Sequence, residues 1–325
     1  MTAPLAPIVT PVAAALLVLA GLILGGPWLV AAFAFLLAFT IGLPPGANPS
    51  RDDPSAPWLP VLLGLLHFAI LFAAILSLAA ARAPAFLVGG FATAGLYLGQ
   101  VSNPAAHELI HRSDRAGFLL GKWVYISMLF GHHSSAHRLV HHVHVATGKD
   151  PNSARRGESL YRFLPRAWAG SFRAGLAAER ARAGGRFPWA SYGPYLLGAA
   201  ALVALSAVLA GPPGAALHLA LAGWATVQLL TSDYVQHYGL SRKTGPDGRA
   251  EPVGPQHSWD APQRGPALLM LNAPRHAAHH LRPADGYGKL AISGPRLPRS
   301  LAVMGFVAFF PRWWRRVMDP RLPAG

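Results

Sequence analysis

Cysteine is absent from this 325-residue sequence, and charged residues are scarce. Without thiolates the chain cannot form a disulfide, an iron–sulfur cluster, a rubredoxin-type iron site or a cysteine nucleophile, so any redox centre in it must use other ligands. Charged residues make up 13% of the sequence, against roughly a quarter in typical soluble domains, whereas hydrophobic residues make up 52%. These proportions are typical of an integral membrane protein.

Long apolar runs that nearly lack charge account for the hydrophobic excess. A helix needs about 20 such residues to cross the hydrocarbon core of a bilayer, and six runs approach that length. We therefore predict an all-α polytopic membrane protein whose residues 1–325 form a single integral-membrane domain. The six predicted transmembrane helices cover residues 8–26, 28–43, 58–81, 84–106, 192–211 and 214–235.

The few charges are mostly basic and are unevenly distributed. All but two of the 28 Lys and Arg residues lie in segments 107–191 and 236–325. Because cytoplasmic segments next to membrane spans are enriched in Lys and Arg, we predict that both segments face the cytoplasm. The net charge of +15 then reflects topology and attraction to anionic lipid. Binding to nucleic acid is not expected, because no recognition motif accompanies the charge.

Three further segments are apolar or amphipathic but are not predicted to span the membrane. Residues 115–131 contain Lys122 and favour an interfacial or re-entrant helix. Residues 158–186 combine apolar residues at helical spacing with many arginines, which indicates a helix on the inner membrane surface or one packed only against protein. The apolar run 301–310 is too short to span.

Histidine is frequent, and its spacing is informative. Two histidines in HELIH and two in HRLVHH are four residues apart, which places each pair on one face of a helix, and RHAAHH has the i, i+3, i+4 pattern. Another histidine follows the last predicted span. By the predicted topology all four groups meet at the cytoplasmic face, and the candidate metal ligands are His107, His111, His137, His141, His142, His237, His276, His279 and His280.

The number of these histidines indicates the kind of metal site. Neutral imidazole binds Zn, Cu, Fe and Ni, but nine imidazoles exceed what one tetrahedral zinc uses and suit two irons with about four or five nitrogen ligands each. Without a cluster of Glu-x-x-His carboxylates, such a centre differs from the soluble carboxylate-bridged di-iron bundles. HELIH also matches the HExxH zinc-protease motif, with Glu108 as the base, but that function leaves six of the nine histidines without a role.

The other six histidines are not predicted to be ligands. His67 and His218 lie alone within predicted spans, where we favour packing roles. We expect the remaining four near the ligands or at the surface, and these are His132, His133, His144 and His257.

Several motifs resemble those of the bacterial membrane alkane monooxygenases, within the membrane fatty acid desaturase and hydroxylase superfamily. The resemblance covers residues 103–156 and 233–322, whereas the first hundred residues match only in hydropathy. The motifs are NPAAHELIHR, HRLVHHVHVATGKDP, DYVQHYGL, QHSWD, RHAAHH and WRRVMDPRL.

This resemblance implies a six-helix fold in the bacterial inner membrane, with two non-haem irons bound by the nine histidines. It also implies O2-dependent hydroxylation of the terminal carbon of an alkane or related alkyl or aryl-methyl substrate taken from the bilayer. Electrons are expected from NAD(P)H through a reductase and a rubredoxin-like or ferredoxin-like carrier. Because the chain has no cysteine, the carrier must dock, and an acidic carrier suits the basic surface.

Two alternatives to alkane hydroxylation remain open. One is a membrane desaturase or hydroxylase that acts on a fatty acid or another lipid. The other is a membrane protein that binds metal without catalysis, which would explain missing acidic residues around the ligands.

The sequence departs from the family around the ligands. The family usually has acidic residues, Ser or Gly where this sequence has Ala136, Val140, Gln236, Ala277 and Ala278. Acidic partners orient metal-bound imidazoles, and their loss commonly costs about 10- to 100-fold in affinity or activity. The candidates for such a supporting role in this chain are Asn103, Glu108, Asp150, Asp233 and Gln236.

Overall fold

Helices and their connecting turns make up the computed structural model, which describes residues 5–43 and 55–323. Within these ranges the chain forms no β-strand, and its only strand-like pairings are two isolated bridges. The predicted all-α class is confirmed. The helices are α1 Ala6–Leu24, α2 Gly26–Ile41, α3 Leu59–Ala79, α4 Pro84–Ile110, α5 Arg115–Ser127, α6 133–144, α7 Leu160–Arg182, α8 Trp189–His237, α9 Arg264–Leu269, α10 His276–Leu281, α11 Leu301–Ala308 and α12 Pro311–Met318.

The apolar runs form long helices close to the predicted bounds. Among the described helices, α1, α3, α4 and α8 are long and apolar enough to cross a membrane, and α2 is apolar but has 16 residues. The fourth predicted span ends at residue 106, whereas α4 continues to Ile110. The HELIH motif therefore continues the helix that the preceding apolar run forms.

Helix α8 is interrupted where the sequence predicts a turn between two spans. Ala210 and Gly211 have non-helical dihedral angles. Gly211 has φ of +66°, a backbone conformation that residues other than glycine adopt only at a free-energy cost. Pro212 and Pro213 follow. Proline suits the first turn of a helix because no intrahelical acceptor awaits its missing N–H. The break therefore divides α8 into two helical halves.

Close packing between α4 and the second half of α8 brings their histidine-bearing ends together. Gln100 Nε2 donates to Gln228 Oε1 at 3.1 Å, and Asn103 Nδ2 donates to the Ala225 carbonyl at 3.1 Å. A Cβ at Gly99 would overlap the Gln228 amide, so a larger residue there would displace that side chain. The two helices then end near each other, at His111 and His237.

Shorter helices surround these ends. Helix α5 covers most of the segment predicted as interfacial or re-entrant, and α7 lies within the predicted amphipathic helix. Helix α7 packs on α6 and α8, and its Leu160, Phe163 and Ala167 are buried, while Tyr161 and Trp168 are exposed. Helix α11 has eight residues and packs on α8, in agreement with the prediction that this run does not span.

Candidate metal centre

His107 and His111 lie at the end of α4. A π-helical turn at Leu98–Ser102 precedes them, and α-helical geometry resumes at Asn103–Ile110, with His111 as the capping residue. The centroids of the two rings are 4.9 Å apart, as expected for residues one turn apart on one helical face. The HELIH spacing therefore predicts this pair correctly.

The HRLVHH segment forms a π-helical turn at His137–His141 rather than the α-helical turn that its spacing predicts. In a π-helix the residues five apart face each other, so His137 meets His142, with their Nε2 atoms 2.9 Å apart. His137 and His141 remain neighbours, with ring centroids 5.1 Å apart, but their nitrogens belong to different groups. The extra residue in this turn explains the division.

The last motif forms the six-residue helix α10, whose first residue, His276, contacts the last residue of α8, His237. His276 Nε2 lies 3.0 Å from His237 Nε2 and 3.0 Å from His280 Nε2. His279 faces elsewhere, with its Nε2 3.0 Å from His142 Nε2. One short helix therefore contributes imidazoles to two places.

Asp260 anchors the chain around α10, and sequence reasoning did not select it as a site residue. Its carboxylate is fully buried and accepts backbone N–H bonds from Ala277, Ser293 and Gly294 at 2.8 to 2.9 Å. These bonds fix the first turn of α10 to a distant loop. The sequence signal for Asp260 was its place in the QHSWD motif.

The nine candidate ligands fall into two groups according to the positions of their nitrogens. Within each group, one nitrogen per ring lies within 4.8 Å of all the others. The groups adjoin, since the His142 and His280 rings have centroids 4.7 Å apart. Across residues 5–43 and 55–323, neither group includes a carboxylate. The members are His107, His111, His137, His142 and His279 in one group, and His141, His237, His276 and His280 in the other.

This donor set fits metal ions better than it fits hydrogen bonding among the rings. A neutral imidazole has one N–H and one lone pair, so several Nε2 atoms that converge on one point cannot all be paired. His111 Nε2 and His141 Nε2 have no hydrogen-bond partner in the described part of the chain. Two adjacent cations, with five and four nitrogen ligands, would use these atoms.

Burial keeps most of the rings neutral, which is the form of imidazole that binds metals. Five of these neutral rings lie outside the apolar helices. Desolvation and the neighbouring imidazoles lower the pKa of each of them well below its ordinary value. These rings are His137, His142, His276, His279 and His280.

Asp150 gives His141 a different environment. His141 Nδ1 donates to Asp150 Oδ2 at 2.8 Å, and this bond leaves Nε2 directed at the second group. Burial alone would lower the pKa of His141, but the carboxylate opposes it and the net pKa is raised. The imidazole in turn lowers the pKa of Asp150 despite burial. A carboxylate that fixes the tautomer and orientation of an imidazole is a common partner of metal ligands.

A family model identifies the wider group to which this arrangement belongs. The model of the fatty acid desaturase family matches residues 82–305, a stretch that contains all nine histidines. The chain belongs to the fatty acid desaturase family. The match covers more than half of the chain and confirms the superfamily that the motifs resemble.

Curated relatives of this desaturase-family chain include named monooxygenases. It is 34% identical over 244 residues to alkane 1-monooxygenase 1 of Alcanivorax borkumensis, covering 71% of this chain and 60% of that protein. It is 34% identical to alkane 1-monooxygenase 2 of Pseudomonas aeruginosa, covering 73% and 65% respectively. It is 26% identical to the hydroxylase component of the xylene/toluene monooxygenase of Pseudomonas putida, and this match covers 67% of this chain and 60% of that protein. The chain thus spans less than two thirds of the length of these relatives.

The other supporting candidates in this desaturase-family chain contact backbone or one another. Glu108 accepts from Tyr287 N at 3.2 Å, and Gln236 Nε2 donates to the Ala273 carbonyl at 3.4 Å. Asp233 accepts from Asn152 Nδ2 at 2.6 Å, and Asn152 N donates to Asp150 at 3.0 Å. Asp233 is therefore linked to His141 through Asn152 and Asp150. Asn103 donates to a backbone carbonyl of α8. The positions that depart from the family pattern are all buried, namely Ala136, Val140, Gln236, Ala277 and Ala278.

Five of the remaining six histidines are buried. His67 Nε2 lies 2.7 Å from Ser127 Oγ, and His218 Nε2 donates to the Ser127 carbonyl at 2.7 Å, so both tie helices together. His132 contacts Ser171 Oγ at 3.2 Å, and the His133 ring packs 4.8 Å from that of His137. His257 is buried beside Glu251, and His144 is half-buried. None of the six belongs to either nitrogen group among the described residues.

A small cavity adjoins the candidate metal centre, on the side of the centre that faces the long helices. This inner cavity has a volume of about 60 Å³. Histidines of both groups contribute to its wall, together with side chains from α4, α5 and α8. The lining includes His107, His137, His276, Asn103, Tyr125, Leu229, Asp233, Met270 and Leu301.

Proposed function

We propose that this chain is a di-iron monooxygenase that hydroxylates the terminal methyl group of an alkane or a related alkyl or aryl-methyl compound. In the overall reaction R–CH3, O2, two electrons and two protons give R–CH2OH and water. The observation that carries this proposal is the adjoining pair of histidine-only groups beside a cavity between the helices. Similarity to alkane 1-monooxygenases supports the same reaction.

The chain's own residues would hold the ions and exclude water. When bound, two irons supply the activation of dioxygen, which amino-acid side chains do not provide. Asp150 and Asp260 orient parts of the ligand set, the first through His141 and the second through α10. Tyr125, Leu229 and Met270 wall the inner cavity, where a methyl group would lie beside the centre.

The electrons would come from a docked carrier. A broad groove of about 740 Å³ includes Asp150 in its lining and is bordered by exposed Lys149, Arg155, Arg156 and Arg249. Since Asp150 contacts His141, the groove and the centre share a wall. We infer that a reduced, acidic rubredoxin-like or ferredoxin-like protein docks there, itself reduced by an NAD(P)H-dependent reductase.

The chain would lie in the bacterial inner membrane as one domain. We propose that α1, α2, α3, α4 and the two halves of α8 are six spans, with the centre facing the cytoplasm. The break at Gly211 and the apolar length of these helices support this topology. The concentration of Lys and Arg in the two segments that carry the histidines supports the orientation.

A lipid desaturase or hydroxylase is the second candidate, because the matching family model is that of fatty acid desaturases. Product analysis separates the two functions. Purified protein with reduced rubredoxin, O2 and octane should yield 1-octanol. An alkene or a hydroxylated lipid, with inert alkanes, would instead support the second candidate.

A zinc protease fits the site less well than either oxidative function. Such a protease needs Glu108 beside the metal-bound water, but the Glu108 carboxylate accepts from Tyr287 N. His107 and His111 also share their group with three more imidazoles, which leaves no open position on a tetrahedral zinc.

Metal analysis tests the proposed centre directly. We expect about two irons per purified chain. The His276→Ala variant should lose iron, because it removes a nitrogen that lies 3.0 Å from the Nε2 atoms of both His237 and His280. His144→Ala is the matched control, since His144 is half-buried and lies outside both groups. One zinc per chain, or full iron in His276→Ala, would contradict the proposal. Bound iron without carrier-dependent oxygen consumption would favour a non-enzymatic metal-binding protein.

A further inference from the structure

A cleft between α7 and the first half of α8 lies outside the metal centre and has no role in the proposed reaction. It has a volume of about 400 Å³, within the usual range for small-molecule sites. Its wall is mostly apolar and includes Leu129 of the α5–α6 connection, Phe172 of α7 and Leu196 of α8. None of the nine candidate ligands is among the described residues that line it. The cleft is therefore a separate cavity.

The cleft lies where α8 enters the membrane in the proposed topology. Tyr195 and Ala199 of its wall follow Trp189, the first residue of α8, by about 9 and 15 Å along the helix axis. Trp189 is exposed, and tryptophan is enriched where a membrane helix passes the headgroups. The wall of the cleft therefore extends from the headgroup level into the upper part of the hydrocarbon.

Part of the apolar wall is open to the outside of the helices. Trp168 of α7 is 53% exposed and Leu196 of α8 is 48% exposed. Beyond the cleft, α8 continues to expose apolar side chains at Leu205 and Val208. An alkyl chain that lies in the cleft would therefore continue along an apolar helix into the bilayer.

One unpaired positive charge borders this apolar wall. The Arg173 side chain is exposed, and it has no hydrogen-bond or ion-pair partner within residues 5–43 and 55–323. Arg166, on the same helix, instead pairs with Glu158 at 2.7 Å. No Asp or Glu is among the described residues of the wall, so no carboxylate in the cleft balances Arg173.

The histidine of the wall adds no charge. His132 is buried, and its Nε2 lies 3.2 Å from Ser171 Oγ, which joins the start of α6 to α7. Burial lowers the pKa of His132 to about 3, so the imidazole is neutral. Lys122 and Glu179 lie near Tyr195 but not in the wall, and their charges are opposite. The cleft therefore combines one positive charge with an apolar pocket.

We propose that the cleft binds one membrane phospholipid with a singly charged anionic headgroup, such as phosphatidylglycerol. Its phosphodiester accepts from Arg173, because a guanidinium presents several N–H donors to phosphate oxygens. One acyl chain fills the apolar part of the cleft and continues along α8. An inorganic phosphate ion would make no use of the apolar wall. The inference requires that α8 crosses the membrane, and it is independent of the proposed monooxygenase reaction.

Photolabelling of the complete protein locates the lipid. Protein in a neutral detergent would be irradiated with phosphatidylglycerol that carries a diazirine in one acyl chain, and labelled peptides would be identified by mass spectrometry. Label is expected on wall residues of α7 and α8, such as Trp168, Leu196 and Ala199. Unlabelled phosphatidylglycerol should compete about fivefold better than phosphatidylcholine, which has no net charge.

Two arginine variants test the role of the charge. Arg173→Gln should lower the labelling of the cleft about fivefold at subsaturating lipid, the usual effect of one basic residue on an anionic lipid. Arg180→Gln is the matched control, because Arg180 is exposed on the same helix but is not among the wall residues. Its labelling should equal that of wild type.

Three results would overturn the proposal. They are equal labelling of the two variants, equal competition by phosphatidylcholine, and label that is absent from the wall of the cleft. Competition by inorganic phosphate as effective as that by phosphatidylglycerol would also overturn it, because the site would then bind a free anion.

Thermal unfolding gives a second measurement, since a ligand that binds only the folded protein raises its unfolding temperature. Phosphatidylglycerol should raise that of wild type and Arg180→Gln more than that of Arg173→Gln. Neither measurement depends on oxidation. Arg173-dependent labelling without oxidation of any alkane would reject the monooxygenase alone, and oxidation of alkanes without such labelling would reject the lipid site alone.

Discussion

At the scale of single residues, Asp150 is the carboxylate in the described part of the chain that hydrogen-bonds directly to a candidate ligand. It accepts from His141 and is itself held by Ser153 Oγ at 2.7 Å and by Asn152 N. The other predicted supporting residues act at a greater distance or through backbone. One orienting carboxylate therefore carries much of the constraint on the second nitrogen group, which makes it a sensitive position.

Asp150→Asn should weaken this support. The amide keeps the size of the side chain but does not carry the charge that fixes His141 as an Nδ1–H donor, so we expect about 10- to 100-fold lower iron affinity or activity. Iron content after dialysis against a chelator and the rate of 1-octanol formation would measure this. Asp247→Asn, at an exposed aspartate that pairs with Arg249, is the control. Equal iron retention in both variants would argue against the role of Asp150.

At the scale of elements, irregular helical turns set the positions of the histidines. The π-helical turns at Leu98–Ser102 and His137–His141 each add one residue to a turn, and the second sends His141 and His142 to different groups. The break in α8 affects a longer stretch of chain, because the half that begins at Trp189 and the half that ends at His237 are two helices joined at a kink. The two π-helical turns therefore lie next to candidate ligands, whereas the break in α8 lies far from them along the helix.

The break in α8 gives a prediction with opposite signs at two glycines. Gly211→Ala should lower the free energy of unfolding by about 1 to 2 kcal/mol, because alanine is strained at φ of +66°. Gly223→Ala, in the regular part of the same helix with open space around its Cα, should be neutral or stabilising by up to about 1 kcal/mol. Thermal unfolding in one detergent would compare them. A stabilising Gly211→Ala would contradict the described break.

At the scale of the whole molecule, charge separates the end with the histidines from the apolar helices. Of the 28 basic residues, 26 lie in segments 107–191 and 236–325, which also carry the nine candidate ligands. The groove bordered by Lys149, Arg155, Arg156 and Arg249 lies in these segments. Association with an acidic carrier would be faster at low ionic strength, because salt screens exposed charges.

Charge reversal tests the docking of the carrier. Arg155→Glu combined with Arg249→Glu should raise the KM for reduced rubredoxin on the order of tenfold at low salt, with a smaller effect at high salt. Arg82→Glu is the control, because this exposed residue lies two residues before α4, whose first residue is about 35 Å from His107 along the helix axis. If both proteins have the same KM and salt dependence, the carrier docks elsewhere.

The sequence alone determined the helical class, the approximate bounds of the apolar helices and which nine histidines lie close together. Long apolar runs leave a buried backbone few alternatives to helix, and imidazoles at helical spacing stand out in a chain without cysteine. The break in α8 was also readable, because Gly211 and two prolines interrupt an apolar run.

Only the tertiary structure decided how the nine imidazoles divide. The division depends on a π-helical turn and on the approach of α6 and α10, and neither leaves a local signal at the histidines. The role of Asp260 likewise depends on residues far apart in the chain. Residue types and spacing specify which atoms can bind a ligand, but packing between distant helices specifies which of them meet.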